Sequence, residues 1–171
     1  KEARFVCTVH VALHDAERQR RLEQRFGAAE EYAPPEIEYG SEPCGQPIVV
    51  GAGPCGLFAA LALAQHGYRP LLIERGRDVE ARRRDVAALG AHGTLDPESN
   101  VCFGAGGAGA FSDGKLTTRI KDPRAEAVLQ TLADCGAPRE ILHLAKPHTG
   151  TEHIQTAVSG IIGRIRAYGG Q

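Results

Sequence analysis

The 171-residue sequence contains no methionine, and it begins with Lys1. We therefore expect it to be a piece of a longer protein whose native start lies elsewhere. The hydrophobic fraction of 42% and the charged fraction of 24% are ordinary for a soluble globular protein, and the length suffices for one domain with a modest core.

An excess of charge of either sign is also missing. The formal net charge is −1, which gives no global electrostatic support for binding nucleic acid or an anionic membrane. The one basic run, Arg82, Arg83 and Arg84, falls in a predicted helix, and we interpret it as a solvated helix face. The apolar stretch 56–64 is too short to cross a bilayer, which takes about 20 residues. We expect a cytoplasmic protein without nucleic-acid or membrane partners.

Paired cysteines and metal-ligand spacings are absent as well. The cysteines include no C-x-x-C pair, which argues against a zinc ribbon or a thioredoxin-type redox pair, and their odd number disfavours a disulfide scaffold. The histidines show no metal-ligand spacing. We expect reduced thiols and no metal site. The cysteines are Cys7, Cys44, Cys55, Cys102 and Cys135.

Hydropathy patterns divide the chain into three parts. Residues 4–13 predict a strand and residues 16–26 a helix capped by Asp15, so residues 1–27 are interpreted as the tail of a small α+β domain. The proline-rich stretch 28–46 predicts a linker. From residue 47 the pattern changes to strand, turn, helix and strand, which predicts an α/β fold with an incomplete Rossmann-like parallel sheet over residues 47–171.

Local signals define the elements of this third part. Strands are predicted at 48–50 and 71–73 around an apolar helix at 57–64, and the first strand is expected to be buried on both faces. Further helices are predicted at 79–89 after the cap Asp78, at 123–135 between Asp122 and Gly136, and after Thr151. The last of these has a predicted apolar face formed by Ile154, Val158, Ile161, Ile162 and Ile165. The segment 168–170 then predicts a helix end before a third strand.

A glycine motif, Gly51-x-Gly53-x-x-Gly56, joins the first of these strands to its helix. Gly51 permits a tight turn, Gly53 lets the backbone approach phosphates with no Cβ in the way, and Gly56 lets helix and strand pack closely. The helix start offers free N–H groups and its dipole to a diphosphate. Pro54 costs nothing there, because an N–H in the first turn has no helical partner. The motif predicts a dinucleotide site.

An acid completes this motif. Glu74 ends the second strand, near the offset of roughly 20 residues at which an acid meets ribose hydroxyls. A carboxylate accepts hydrogen bonds from both the 2′- and the 3′-hydroxyl, and it would repel a 2′-phosphate. We therefore predict that Glu74 binds the ribose and that the site excludes NADP.

A second glycine cluster lies among the aromatic residues Phe103 and Phe111, which are unusual in a disordered linker. The combination predicts a nest of N–H groups or a close approach of backbone to a flat ligand. A domain that binds only NAD needs no second cluster, whereas an extended FAD needs a contact for its ribityl and isoalloxazine end. The cluster, which favours FAD, consists of Gly104, Gly106, Gly107, Gly109 and Gly114.

The segment from residue 47 to residue 170 resembles a family of uncharacterised bacterial FAD-dependent dehydrogenases, in the glutathione-reductase-like superfamily. The second and third matching segments are far more specific than the glycine motif. Cys55 replaces the small residue usual after the proline, and Ala105 stands where the family usually carries an acid. The matching segments are VVGAGPCGLFAA (49–60), ERGRDVEARRRDV (74–86), ESNVCFGAGGAGAFSDGKLTTRIKDP (98–123) and AKPHTGTEHI (145–154).

The resemblance implies an FAD-dependent oxidoreductase that transfers hydride through the flavin, with an unknown small-molecule substrate and NAD(P)H as a candidate electron donor. It also implies that Arg75 and Arg82 lie near the adenosine or the phosphates. The pyrophosphate would be held by Gly51, Gly53, Pro54 and Gly56, the ribose by Glu74, and the flavin end would lie near Gly107, Gly109 and Ser112.

Catalytic residues do not follow from the sequence. Disulfide reductases of this superfamily carry two cysteines facing the flavin, and Cys102 is single here, so disulfide reduction is not expected. Lys115 is either a charge near the flavin or a phosphate-binding or surface lysine, His148 is either catalytic or a helix cap, and Asp113 is another acid–base candidate. A binding module without turnover and an NAD-dependent dehydrogenase stay as alternatives. We expect this piece to hold only the first half of the cofactor site.

Overall fold

Helices predominate over a small parallel sheet in the part of the molecule that the structure describes. The structure is a computed structural model, and it describes residues 15–26, 45–116, 122, 124–144 and 146–171. The chain divides into two units, 1–36 and 37–171. The elements in chain order are α1 (Ala16–Phe26), β1 (Ile48–Val50), α2 (Pro54–Gln65), β2 (Leu71–Ile73), α3 (Val79–His92), α4 (Arg124–Asp134) and α5 (Thr151–Ala167).

The first unit is described through α1, whose predicted bounds are confirmed. The Asp15 carboxylate accepts a hydrogen bond from the Glu17 N–H at 2.8 Å, which satisfies a donor that a helix start leaves free. The predicted strand over 4–13 lies outside the described residues, as does the predicted linker except for residues 45 and 46. The predicted boundaries between the three parts of the chain stay predictions.

The second unit contains the predicted strand–helix–strand arrangement. β1 pairs in parallel with β2, with Ile48 beside Leu71 and Val50 beside Ile73. α2 connects the two strands and packs on both. Such a crossover is needed because parallel strands run in the same direction. The predicted α/β class with a parallel sheet is confirmed.

The other edge of β2 has a backbone partner as well. The Gln171 N–H donates to the Pro70 carbonyl at 2.9 Å, and the Leu72 N–H donates to the Gln171 carbonyl at 2.7 Å. Gln171 thus bonds to the residues on either side of Leu71, and this pattern is typical of a parallel ladder. The chain after α5 therefore reaches the sheet, where the third strand is predicted.

One face of β1 departs from the prediction. Val49 packs against the core, but Ile48 is 65% exposed and Val50 is 81% exposed. Successive side chains of a strand point to opposite faces, so the two exposed residues share the face away from Val49. The expectation that β1 is buried on both faces is therefore wrong, because three apolar β-branched residues do not reveal which faces other elements cover.

The core lies where α5 packs against α2, and α5 also contacts α3 and α4. Each apolar side chain that is fully buried there contributes about 1.5–3 kcal/mol. The spacing predicted for the apolar face of α5 is confirmed, and its buried members are Ile154, Val158, Ile161 and Ile165. The buried residues of α2 are Leu57, Ala60, Leu61 and Ala64.

α4 ends at its predicted signal, whereas α3 ends later than predicted. α3 continues past the predicted end at residue 89 and stops at Gly93, where φ is +68°. α4 ends before Gly136, whose φ of +113° no side chain readily adopts. Pro123, which is predicted to open α4, lies outside the described residues. In the described ranges, no helix is both long and apolar enough to cross a membrane.

The cap of α3 allows a stability prediction. The Asp78 carboxylate accepts from the Ala81 N–H at 2.8 Å, as predicted for an N-cap. Asp78→Ala should lower the free energy of unfolding by about 1 kcal/mol, because the loss of an N-cap costs about 0.5–2 kcal/mol. Asp78→Asn keeps the acceptor and should lose less. Urea unfolding of the three proteins measures both changes, and an alanine variant as stable as the parent would contradict the capping role.

Candidate functional site

The turn between β1 and α2 requires glycine at two of the motif positions. Gly51 has a φ of +96°, which L side chains rarely adopt. At Gly56 a Cβ would lie 1.9 Å from the carbonyl oxygen of Gly51. Both requirements come from the backbone of the protein itself, because the turn is tight and α2 starts directly against it.

Gly53 differs from both, since no described neighbour requires it. Its φ of −74° is ordinary for any residue, and an added Cβ would meet nothing within 4 Å. The missing side chain leaves a space on the surface of the turn that a Cβ would fill. Atoms of a ligand can therefore come close to the backbone at this point.

The start of α2 presents backbone donors to that space. The Leu57 N–H donates to the Gly53 carbonyl at 2.9 Å, which is the first bond of the helix. The N–H groups of Cys55 and Gly56 consequently have no partner within the helix. Pro54 has no N–H, and no side chain caps this end. Free donors at the positive end of a helix dipole suit an anion such as a phosphate.

Glu74 follows β2 and is fixed against the same turn. One carboxylate oxygen accepts from the Ala52 N–H at 2.7 Å, and the other accepts from the Gly76 N–H at 2.8 Å. An ionised carboxylate has about four acceptor positions, so each oxygen keeps one for a further donor. The carboxylate is therefore held by backbone and can still accept from hydroxyl groups.

A crevice of about 160 Å³ opens beside Glu74. Open α/β sheets bind ligands outside the carboxyl ends of their strands, and Ala52 and Glu74, which follow β1 and β2, line this crevice. Whole-ligand pockets measure roughly 300–1,000 Å³, so the crevice fits one part of a dinucleotide, such as a nucleoside. Its lining includes Leu72 of the sheet and Ile162 and Ile165 of α5, which give it an apolar wall.

Most residues that line this crevice are not among the predicted site residues, and they include Arg77, Ile162 and Arg166. Ile162 and Arg166 are four residues apart and so share one face of α5. This spacing is visible in the sequence, but nothing local shows that α5 passes the ends of the strands. Arg77 follows Glu74 closely, and position after a strand end is the signal that could have identified it.

The second glycine cluster folds back onto the first. The Gly106 N–H donates to the Ala52 carbonyl at 2.7 Å. A Cβ at Gly107 would lie 3.3 Å from the Cα of Gly53. The backbones of the two glycine-rich segments are therefore side by side, and the surface formed by the turn continues into residues 104–107.

Gly109 and Ser112 belong to the same loop, within and just after a short 3₁₀ turn at Ala108–Phe111. The Ser112 hydroxyl donates to the Gly109 carbonyl at 2.8 Å, and the Thr151 hydroxyl donates to the Ser112 carbonyl at 2.6 Å. The second bond ties the loop to the start of α5. Gly109 and Ser112 are exposed, and their contact with the flavin end of a cofactor stays a prediction.

Arg75 lies at the surface. Its guanidinium pairs with Glu98 at 2.7 Å, and it also lies over the Phe103 ring, 5.2 Å from the ring centre. Both charged side chains of the pair are more than half exposed, and such pairs contribute only about 0–1 kcal/mol. The side chain could therefore turn toward a ligand at little cost, and its predicted contact with adenosine or phosphate stays a prediction.

The basic run is not a solvated helix face. Arg82 is 0% exposed, Arg83 is half-buried against Gln155 of α5, and Arg84 is exposed. The interpretation as a solvated face is therefore wrong, because α3 turns Arg82 inward under the glycine-rich loop. The resemblance implies that Arg82 lies near adenosine or phosphate, and a direct contact would require that loop to open.

The acid–base candidates lie together at the surface. Lys115 and His148 face each other in an antiparallel bridge, and the Lys115 ammonium pairs with Asp113 at 2.8 Å. The hydrogen bond from Lys115 lowers the pKa of Asp113, and the same bond raises the pKa of Lys115. Both groups therefore stay charged near neutral pH, which suits an ion pair better than proton transfer.

No group of three or more His, Cys, Asp or Glu side chains in the described ranges could hold a metal ion. The cysteines in those ranges are free thiols, with Cys55 and Cys102 exposed and Cys135 buried. Burial raises the pKa of the Cys135 thiol, which makes it a poor nucleophile.

Comparison with known proteins supports the dinucleotide-binding class of site. Residues 49–100 match the NAD(P)-binding Rossmann-like domain family, and this match covers the turn, Glu74 and α3. A protein of Clostridium beijerinckii that bears the name "Uncharacterized protein" is 52% identical over 126 residues, which are 74% of this chain and 24% of that protein. The chain thus spans about a quarter of the length of this curated relative. The predicted Rossmann-like character of the fold is confirmed.

Proposed function

We propose that this chain forms the adenosine-diphosphate part of the cofactor site of an FAD-dependent oxidoreductase. The observation that carries the proposal is Gly53, a glycine that no described protein contact requires, beside free N–H donors of α2. The N–H groups of Gly53, Cys55 and Gly56 would hold the diphosphate. Glu74 would accept hydrogen bonds from the ribose hydroxyls.

The crevice beside Glu74 would take the adenosine. Its apolar wall suits a purine base, and its size suits one nucleoside. Arg166 lines the same crevice and adds positive charge near an anionic ligand, whereas the Arg77 guanidinium pairs with Asp85 and Asp96. The negative charge of Glu74 opposes a 2′-phosphate, so NADP is not the expected ligand.

The choice of FAD is supported by the second glycine-rich segment. Gly107 lies against Gly53, so the backbone surface continues beyond the diphosphate turn, as a longer cofactor would need. A bound flavin supplies hydride and electron transfer, whereas the residues of this chain bind and orient the cofactor. NAD(P)H is a candidate electron donor, and the substrate class is open.

A second candidate, an NAD-dependent dehydrogenase, is favoured by the description of the matching family as NAD(P)-binding. NAD and FAD share the adenosine diphosphate, so the turn and Glu74 would serve either. The two candidates differ in what the loop at residues 104–112 would contact.

Titration of the purified chain with FAD, NAD⁺ and ADP tests the proposal. The readout is displacement of a fluorescent ADP analogue, with adenosine as the control that lacks a diphosphate. We expect ADP to bind and FAD to bind at least about fivefold more tightly than NAD⁺, since about 1 kcal/mol of added contact suffices for that factor. Tighter binding of NAD⁺ would favour the dehydrogenase, and equal binding of all three would favour a module that recognises ADP alone. A chain that does not bind ADP would contradict the proposal of an FAD site, of an NAD site and of a module that recognises ADP alone.

A further inference from the structure

Arg82 of α3 is a buried cation whose partners are backbone carbonyls of the glycine-rich loop. Its side chain is 0% exposed. The donors are Nε to Asn100 at 2.7 Å, Nη2 to Val101 at 2.9 Å, and Nη1 to Ala105 at 2.8 Å and to Gly104 at 3.3 Å. One side chain therefore orders the loop from residue 100 to residue 105.

Backbone carbonyl dipoles, and not a paired carboxylate, accept the hydrogen bonds of this charge within the described part of the chain. The ring of Phe111 lies 4.5 Å from the guanidinium carbon and adds a cation–π contact to the carbonyls. Burial lowers the pKa of Arg82, and the negative charge of Glu74 acts in the opposite direction. An arginine stays protonated at neutral pH in proteins, so a full positive charge lies beneath the loop.

Two consecutive peptide groups connect this charge to the diphosphate turn. The Ala105 carbonyl accepts from Arg82, and the N–H of the same peptide group, on Gly106, donates to the Ala52 carbonyl at 2.7 Å. No described peptide bond is cis, so each N–H points opposite to its own C=O. The N–H that shares a peptide group with the Ala52 carbonyl is that of Gly53, and it therefore points away from Gly106, at the edge of the space left by the missing side chain.

We propose that Arg82 is a positioning residue for the diphosphate: its charge polarises the Ala105–Gly106 and Ala52–Gly53 peptide groups and makes the Gly53 N–H a stronger donor, without contacting the ligand. Chains of hydrogen bonds in a low-dielectric interior strengthen one another, and an ionised member strengthens its own bond the most. This inference rests on the proposed function, since it assigns Arg82 a part in the same site.

Two charge variants of similar length test the proposal. Arg82→Gln and Arg82→Lys both lose the guanidinium fork, but only lysine keeps the charge. The measured quantity is the ratio of the adenosine Kd to the ADP Kd, which isolates the contribution of the diphosphate. We expect this ratio to fall about five- to tenfold in Arg82→Gln and to stay within about twofold of the parent in Arg82→Lys.

Phe111→Leu is the matched control for packing. It disturbs the same part of the loop, should lower the unfolding midpoint, and should leave the ratio within about twofold of the parent, since the charge is still present. Should Arg82→Gln fail to fold, Arg82→Lys still tests the proposal, because a lower ratio in this variant would show that the fork matters and the charge does not.

The possible outcomes separate the two proposals. Equal weakening of adenosine and ADP binding in Arg82→Gln would overturn the role of the charge. A fall in the ratio of the adenosine Kd to the ADP Kd in Arg82→Lys would overturn it as well. A parent chain that binds ADP no more tightly than adenosine would overturn the proposed function, and this inference with it.

Discussion

Gly56→Ala should destabilise the fold of residues 37–171 by at least about 3 kcal/mol, which is at the upper end of what one added methyl group does. The new Cβ would lie 1.9 Å from the Gly51 carbonyl oxygen and 3.1 Å from its carbonyl carbon. Both are backbone atoms of a tight turn, so no side chain can rotate away. α2 would have to move off the turn, which would open the packing of Leu57 and Ala60. Urea unfolding followed by circular dichroism measures the loss.

Gly53→Ala is the matched control, because it adds the same methyl group three positions earlier in the motif. Its backbone angles suit alanine, and the Cβ would meet nothing within 4 Å. Alanine caps a helix less well than glycine, which lowers stability by about 0.5–1 kcal/mol, and it reduces the entropy of the unfolded chain, which raises stability by about as much. The free energy of unfolding should therefore change by less than about 1 kcal/mol.

ADP binding should fall in Gly53→Ala even though the stability of this variant changes little. In Gly53→Ala the methyl group occupies the space assigned to the diphosphate, and overpacking of about 1–3 kcal/mol would weaken ADP binding about 5- to 150-fold. A Gly53→Ala variant that binds ADP as tightly as the parent would remove the main support for the proposed site. A Gly56→Ala variant as stable as the parent would contradict the geometry of the turn.

The features that the sequence predicts well are those decided within a few residues. Asp78 caps α3 because its carboxylate reaches the Ala81 N–H, and Gly136 ends α4 through its own φ angle. The apolar spacing of α5 also appears in the sequence directly. The exposed face of β1 is different, because burial depends on which distant segment covers the strand, and Ile48 and Val50 contain no information on that.

Arg82 shows the same limit at the site. Three consecutive arginines in a helix look alike in a sequence, and the local rule places them all in solvent. What turns Arg82 inward is a set of loop carbonyls whose positions depend on glycines about 20 residues later in the chain. A local pattern can identify the loop as unusual, but it cannot show that the loop lies over α3. The burial of Arg82 therefore depends on backbone partners that are distant in the sequence, and the pattern of arginines within the helix does not reveal it.

Glu74→Ala should weaken ADP binding by about 10- to 100-fold, because hydrogen bonds from ribose hydroxyls to a charged acceptor contribute about 1.5–3 kcal/mol. It should also reduce stability by about 1–3 kcal/mol, since the buried Ala52 N–H would lose its acceptor. Glu74→Gln separates the two effects. Its amide oxygen can still accept one of the backbone bonds, while the negative charge is gone.

The charge of Glu74 should determine how strongly the chain prefers ADP-ribose over its 2′-phosphorylated form. The parent chain should prefer the unphosphorylated ligand by more than about tenfold, because a phosphate beside a carboxylate is repelled. In Glu74→Gln this preference should fall to about twofold or less, even if the affinity for ADP-ribose falls only slightly. Glu98→Gln, which neutralises the exposed partner of Arg75, should leave the preference for the unphosphorylated ligand unchanged. An unchanged preference in Glu74→Gln would show that the carboxylate does not face the ribose, since a group that only holds Ala52 and Gly76 has no reason to distinguish the two ligands.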